Sequence, residues 1–366
     1  MDYQRRIVGL QARLRRKKLD CLLVSHPENR RYLSGYRGSD HGIAETSGLL
    51  LVPANGQVRL LTDFRYKIQA ERDVPWAEVR LYDKGLLHLL GLLLPSLGIK
   101  TLAFESHYTL HSGAEKMVAA LLKKGIRTVP VTNLIENQRI VKDEVEIERI
   151  RNAVRLNEKV FSEVYSSLAT CRSENDVALA IESAMRRNGA EGPSFSTIVA
   201  SGENGALPHA VPGGTELQQD GSLTIDMGLV LDGYCSDMTR NFVPGTPSDR
   251  YLELHRLVRR AQLAGMAAIK DGARACDVDL AARSVIASAG YGGYFGHSLG
   301  HGVGLAVHEE PRVSSRNRKK LRSGMVITVE PGIYIPGWGG IRLENMVVVR
   351  PGGCENLNSD TTWLDI

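Results

Sequence analysis

The residues best suited to chemistry in this chain are carboxylates and imidazoles set in apolar or glycine-rich surroundings. Asp226 and Asp237 bound the stretch DMGLVLDGYCSD. The strand-like runs Thr224–Leu231 and Tyr234–Phe242 flank Asp232-Gly233, a pair suited to a type I′ turn. With Leu231 opposite Tyr234, Asp226 falls opposite Thr239. Asp237 then shares the face of Asp226 on the diagonal, roughly 7–8 Å away along the backbone. Two like charges inside a strand are costly unless a cation neutralises them. The pair alone leaves open a second reading, a solvent-facing edge hairpin with two ordinary aspartates.

Further along, GHSLGHGVGLAVHEEP (residues 296–311) holds His297, His301 and His308, three of the ten histidines in the chain. Glycines at 296, 300, 302 and 304 let backbone approach a buried site closely. Imidazoles so placed suit metal ligation or acid–base work. The apolar run Met325–Val329 leads into Glu330, and after the turn Gly337-Trp338-Gly339-Gly340 a second run carries Glu344. Asp226, Asp237, His301, Glu330 and Glu344 together make an oxygen-rich set suited to two divalent ions, Mn²⁺ or Co²⁺ first and Zn²⁺ as an option. Such a pair activates water and polarises a carbonyl, which is hydrolytic chemistry.

Two domains fit the 366 residues and 40.2 kDa. A formal net charge of +5 is mild, and the clusters Arg13–Lys18 and Arg316–Lys320 read as solvated surfaces rather than a nucleic-acid footprint. The five cysteines are odd in number, scattered and never in a C-x-x-C pair. That pattern disfavours a disulfide framework or zinc ribbon and favours a reducing compartment. No signal peptide or membrane-length apolar run is visible, so a cytoplasmic protein without membrane or nucleic-acid partners is expected.

The elements that must position these residues divide near Leu134–Lys142. Ahead of that point, a basic helix (Tyr3–Lys18), a strand at Cys21–Ser25 and a hairpin about Ala54-Asn55-Gly56 come first. A helix over Phe64–Glu71 capped by Thr62-Asp63, a strand at Val79–Leu81, a helix at Leu86–Leu97, a strand at Thr101–Phe104 and a helix before Thr128 follow. Such alternation predicts a mixed or parallel sheet flanked by helices. No catalytic cluster gathers there; Asp63, Arg65 and Tyr66 read as structural or interfacial.

Beyond the boundary, a charged helix over Asp143–Leu168 turns Val145, Ile147, Ile150, Val154 and Leu156 to one side. A second helix begins at Ser173, with Asp176 completing a capping-box pattern. DVALAIESAMRRNGAEG from Asp176 and DVDLAARSVIASAGYGG from Asp277 then align 101 residues apart. Each copy follows another helical stretch and precedes β-rich sequence, which predicts a pseudo-two-fold domain with its site between the halves.

With these motifs in order, the chain resembles the pita-bread metallopeptidases, in the branch that holds Xaa-Pro dipeptidase (prolidase) and aminopeptidase P. TIDMGLVLDGYCSDMTRNF, GHSLGHGVGLAVHEEP and VITVEPGIYIPGWGGIRLEN each resemble a family motif. RYLSGYRGS (Arg31–Ser39) and LLTDFRY (Leu60–Tyr66) are similar to the creatinase-like N-terminal domain of that branch. The resemblance implies an α/β domain over 1–135 and an α+β pita-bread catalytic domain over 136–366. It also implies that Asp226, Asp237, His301, Glu330 and Glu344 bind two metal ions. Glu330 would shuttle the proton and His308 would donate a hydrogen bond to the reacting group. His209 and His297 match substrate contacts, while Tyr334 and Arg342 match outer or substrate-binding positions. One departure is Asn345, where the family often has Asp after the glutamate; a lost charge there would retune metal affinity.

The implied activity is hydrolysis of Xaa-Pro bonds in short peptides, by a homodimer. The Xaa-Pro bond is a tertiary amide lacking the N–H that ordinary peptidases grip. A compact chain leans to the dipeptidase. Aminopeptidase P action on longer peptides is an alternative, as is an atypical carboxypeptidase reading the terminal carboxylate through Arg342 or nearby basic residues. A non-catalytic binding protein and metal-free amidino hydrolysis are the readings of other classes, and the complete ligand set opposes both.

Overall fold

The computed structural model describes residues 1–366, and the chain forms two compact units, Met1–Arg139 and Ile140–Ile366. The division lies slightly beyond the expected one because the short helix Glu136–Arg139 belongs to the first unit. There Arg139 Nη1 donates to Asn29 Oδ1 at 2.8 Å.

In the first unit six strands form one mixed sheet. Cys21–Val24 lies inside it, antiparallel to Leu49–Pro53 and parallel to Thr101–Glu105. Cys21, Leu23, Leu49, Leu51 and Leu61 pack on one face against Leu90, Leu93, Leu94 and Leu121 of the helices Leu86–Ser96 and His111–Leu122. The alternate residues Leu22, Val24, Leu50, Val52 and Leu60 are buried too, so both faces are covered and the strands read as unbroken apolar runs. The expected 64–71 helix begins as a tight 3-10 turn, Phe64–Tyr66, capped by Asp63 accepting from Arg65 N, before Lys67–Asp73 becomes α-helical.

The second unit repeats one plan twice. Helix Glu144–Ser166 is followed by helix Glu174–Arg187, and helix Asp249–Ala268 by helix Ala275–Ser288, with the second helix of each pair 101 residues apart. Capping boxes start the first two: Asp143 with Glu146, and Ser173 with Asp176. Ile147, Ile150 and Val154 are buried as their spacing predicts, but Val145 is 53% exposed because the buried stripe continues through Ala153, Asn157 and Phe161 instead.

Each helix pair packs its apolar face on its own strands. Phe161, Val177 and Ile181 meet Leu223, Ile225 and Phe242 in the first half. Leu254, Val258 and Val278 meet Ile327, Val329 and Val347 in the second. The halves join where strand Met238–Phe242 meets the 340–345 segment: Asn241 Nδ2 donates to Gly340 O at 3.1 Å and Glu344 N to Thr239 O at 3.2 Å. The candidate site lies at that seam. No helix is long and apolar enough to cross a membrane.

Candidate metal centre

The hairpin takes the expected register, with Leu231 paired to Tyr234 and Asp226 to Thr239. It also bends from one three-stranded sheet into another between Met227 and Leu229. A Cβ at Gly228 would lie 2.2 Å from Ser236 O, so only glycine allows the bend that turns Asp237 inward. His301 sits in strand Gly300–Gly302, hemmed in by similarly obligatory glycines. A Cβ at 300 would meet Thr328 O at 2.1 Å, and one at 302 would meet Glu310 O at 2.4 Å. These close approaches carry the imidazole against Glu330, at the end of strand Val326–Val329.

Asp237, His301 and Glu344 each place a ligand atom within 4.8 Å of the others. His301 Nε2 stands 3.6 Å from Asp237 Oδ2 and 3.3 Å from Glu330 Oε1. His301 Nδ1 faces Gly302 O at 3.1 Å, an acceptor only, which assigns the proton to Nδ1 and leaves the Nε2 lone pair directed at the carboxylates. Thr239 Oγ1 donates to Glu344 Oε2 at 2.7 Å, and Thr328 Oγ1 to Glu330 Oε1 at 2.9 Å. Arg342 Nη2 donates to Asp226 Oδ2 at 2.7 Å.

Burial is the largest force on these acids. It raises Asp237 well above the carboxylate range, with Glu344, Asp226 and Glu330 adding to it, and it raises Glu344 in the same direction. Glu330 is lifted to about 7 by burial, against the pull of Arg342. Desolvation holds His301 and His308 below the usual imidazole value. Two buried oxygens in the cluster, Asp226 Oδ1 and Glu344 Oε1, have no hydrogen-bond partner. Crowded carboxylates, a neutral imidazole and orphaned oxygens are the donor set that divalent cations require, so the residues fit metal ions.

Behind this cluster runs a buried relay. His297 Nδ1 donates to Ser298 O at 2.8 Å, and its Nε2 lies 2.8 Å from the Tyr334 hydroxyl. Arg342 donates from Nη1 to that hydroxyl oxygen at 2.9 Å and from Nε to Thr239 Oγ1 at 3.0 Å. Burial lowers His297 to about 4 and raises Tyr334 to about 12. All three Arg342 nitrogens thus face protein partners, and the side chain is buried. His308 is exposed, with its ring edge-on to His301 at 4.4 Å between centroids. His209 is exposed after the 3-10 turn Gly202–Ala206, and its charge acts on His297, His308 and Glu330. Asn345 is buried and accepts from Arg240 Nη1 at 3.1 Å. Arg240 also donates to Glu344 O at 2.7 Å, and burial lowers it to about 10.

Sequence reasoning did not identify Thr239 and Thr328 as donors to the acids, nor Arg240. It also did not single out Arg312, an exposed cation shortly after His308, whose Nε donates to Ser298 Oγ at 3.1 Å. The Arg312 charge contributes to lowering both His301 and His308. For Thr239 the signal was present, since the hairpin register set it opposite Asp226.

Residues 148–351 match metallopeptidase family M24, and residues 6–141 match the creatinase/prolidase N-terminal domain. The Xaa-Pro dipeptidase of Pyrococcus horikoshii is 34% identical over 343 residues, covering 93% of each chain. Among solved structures, an Xaa-Pro dipeptidase from Bacillus anthracis shares 34% identity with a TM-score of 0.89 over 98% of both chains. An X-Pro aminopeptidase from Thermotoga maritima shares 36% identity with a TM-score of 0.86, covering 95% of this chain and 98% of its own. On the family match and this likeness over almost its whole length, the chain belongs to metallopeptidase family M24 and carries the creatinase/prolidase domain ahead of the catalytic one.

Proposed function

We propose that the protein is an exopeptidase dependent on two divalent metal ions that hydrolyses Xaa-Pro bonds, acting as an Xaa-Pro dipeptidase. The observation that carries this reading is the buried cluster of Asp226, Asp237, His301, Glu330 and Glu344, with Asp226 Oδ1 and Glu344 Oε1 lacking any partner. Those five residues would hold the ions, Mn²⁺ or Co²⁺ by preference and Zn²⁺ as an option. When bound, such ions supply an activated water and polarise the scissile carbonyl.

The remaining work falls to side chains. Glu330, raised toward neutrality and held at Oε1 by Thr328, suits the transfer of a proton to the leaving proline nitrogen. That nitrogen has no hydrogen of its own in the tertiary amide, so it must gain one to depart as an amine. His308, exposed beside His301, would donate to the carbonyl oxygen as charge develops there. His209 and His297 would border the substrate. Tyr334 and Arg342 would orient Asp226 and His297 from behind. Arg312, exposed and with its charge reaching His301 and His308, would meet a short substrate's terminal carboxylate, whereas Arg342 is committed to protein partners. The reading further takes the protein as a cytoplasmic homodimer, supported by the family resemblance and the scattered cysteines.

Product analysis with Mn²⁺-loaded protein tests this, using Ala-Pro, Ala-Pro-Ala-Ala, an N-blocked tetrapeptide and a dipeptide without proline. Cleavage of Ala-Pro alone is expected. The likeness to the Thermotoga aminopeptidase favours a second reading, which release of Ala from the tetrapeptide would establish. C-terminal trimming of the blocked peptide would establish a carboxypeptidase. Stoichiometric metal with no cleavage of any peptide would leave a binding protein.

A further inference from the structure

Glu309 follows His308, yet its side chain turns inward and is only 7% exposed. Oε1 accepts from Ala306 N at 3.0 Å, closing the 304–309 turn on itself. Glycine at 304 makes room for this, since a Cβ there would lie 2.8 Å from both carboxylate oxygens. The same turn is tied to the aspartate hairpin, because Cys235 N donates to Gly304 O at 2.8 Å. Oε2 meets the ammonium of Lys142 at 3.1 Å, and the Lys142 side chain is 2% exposed. The lysine backbone is held as well. Its N–H donates to Gly324 O at 2.8 Å, and Gly324, at φ +86°, packs so tightly that a Cβ would lie 2.8 Å from Lys142 O.

We infer that Lys142 is a positioning residue for the reaction: through Glu309 it fixes the turn that sets His308 edge-on against His301. This rests on the proposed function, in which His308 donates to the reacting carbonyl. A buried ion pair adds little stability over an apolar pair of similar size, so its value here lies in geometry. Both ends are anchored in backbone, and the one residue between Glu309 and Val307 is His308. A shift of the turn by about 1 Å is enough to cost on the order of 100-fold in a positioned donor.

The test is a double-mutant cycle on Mn²⁺-loaded full-length protein hydrolysing Ala-Pro. Lys142→Met is expected to lower kcat/KM roughly 10- to 100-fold, through kcat more than KM, with Lys142→Arg retaining most activity. In a His308→Ala background, Lys142→Met should cause little further loss. Equal losses in both backgrounds, or no loss in the wild-type background, overturn the assignment. Lys142→Met removes the ammonium that faces a buried carboxylate and can fail to fold. The neutral pair Lys142→Met with Glu309→Gln serves as the second variant, read in the same cycle with the same criteria. Should wild-type protein cleave no Xaa-Pro peptide, the functional reading fails by itself. Hydrogen exchange in the peptide spanning residues 303–312 then decides the positioning: faster exchange in the variants supports the clamp, and unchanged exchange overturns it.

Discussion

Thr239→Val isolates the support given to the proposed metal ligands from those ligands themselves. The Thr239 hydroxyl donates to Glu344 Oε2 at 2.7 Å and accepts from Arg342 Nε at 3.0 Å, while its carbonyl serves Glu344 N and Arg240. Valine keeps the shape and the backbone bonds, so only the hydroxyl's two interactions are lost. Glu344 Oε1 already lacks a partner, so the variant leaves the carboxylate with no donor on either oxygen that the wild type satisfies. The lost Thr239–Glu344 hydrogen bond contributes about 0.5–1.5 kcal/mol and the orphaned Arg342 nitrogen costs about 1–3 kcal/mol in desolvation, so the metal-free protein should lose about 2–4 kcal/mol. Loss of that donor also raises Glu344 further, so a metal ion must displace a more tightly held proton. The expected fall in Mn²⁺ affinity is about 10- to 100-fold, the usual effect of removing an outer partner. Isothermal titration of metal-free protein with Mn²⁺ reads the affinity, urea unfolding in EDTA reads the stability, and Thr239→Ser is the control that keeps the hydroxyl. Mn²⁺ affinity within about twofold of wild type, alongside the stability loss, would refute the coupling of this hydroxyl to the metal centre.

Three further expectations follow from other parts of the molecule. Glu330→Gln should lower kcat about 10²- to 10⁴-fold on Ala-Pro, the range for a lost proton-transfer group, and a value near wild type in stopped-flow or steady-state assays would reassign that role. Gly300→Ala drives a methyl against Thr328 O, 2.1 Å away, and should destabilise the protein by about 1–3 kcal/mol or displace His301, seen as a lower melting temperature with weaker metal binding. His255 is fully buried, its Nε2 lies 3.1 Å from the backbone carbonyl Trp363 O, and desolvation holds it near 4 against the opposing pull of Trp363, Asn241 and Asp365. As pH falls from about 6.5 toward 4 the unfolded chain takes up this proton and the native one does not, so stability should drop by about 2 kcal/mol at pH 5. His255→Gln should flatten that part of the pH profile, and an unchanged slope would locate the acid sensitivity elsewhere.

Much of the site was legible because its information is local. Alternation with period two, and a tight turn that Asp-Gly suits, set Asp226 opposite Thr239 before any tertiary contact is considered. Capping boxes at Asp143 and Ser173 are likewise written within four successive residues, and the 101-residue repeat is sequence similarity that the two helix pairs reproduce. What stayed hidden depends on chain segments far apart. Helix Pro27–Ser34 carries Arg30 into the interior, where it donates to Gly38 O at 2.8 Å and Asp40 Oδ1 at 2.8 Å; nothing in its own segment announces a buried arginine. Val145 fits the apolar stripe by spacing, but the buried stripe runs on through Ala153, Asn157 and Phe161 and leaves Val145 exposed. The partners of Arg342, Arg240 and Lys142 lie across the seam or under a distant turn. A cation reads alike in sequence whether it meets solvent, substrate or a carboxylate. Residue chemistry and short-range periodicity carry the candidate ligand types, their strands and the family, so these are readable from the chain alone. Which carboxylate each donor serves is settled by packing, where two halves of the domain coded a hundred residues apart come together.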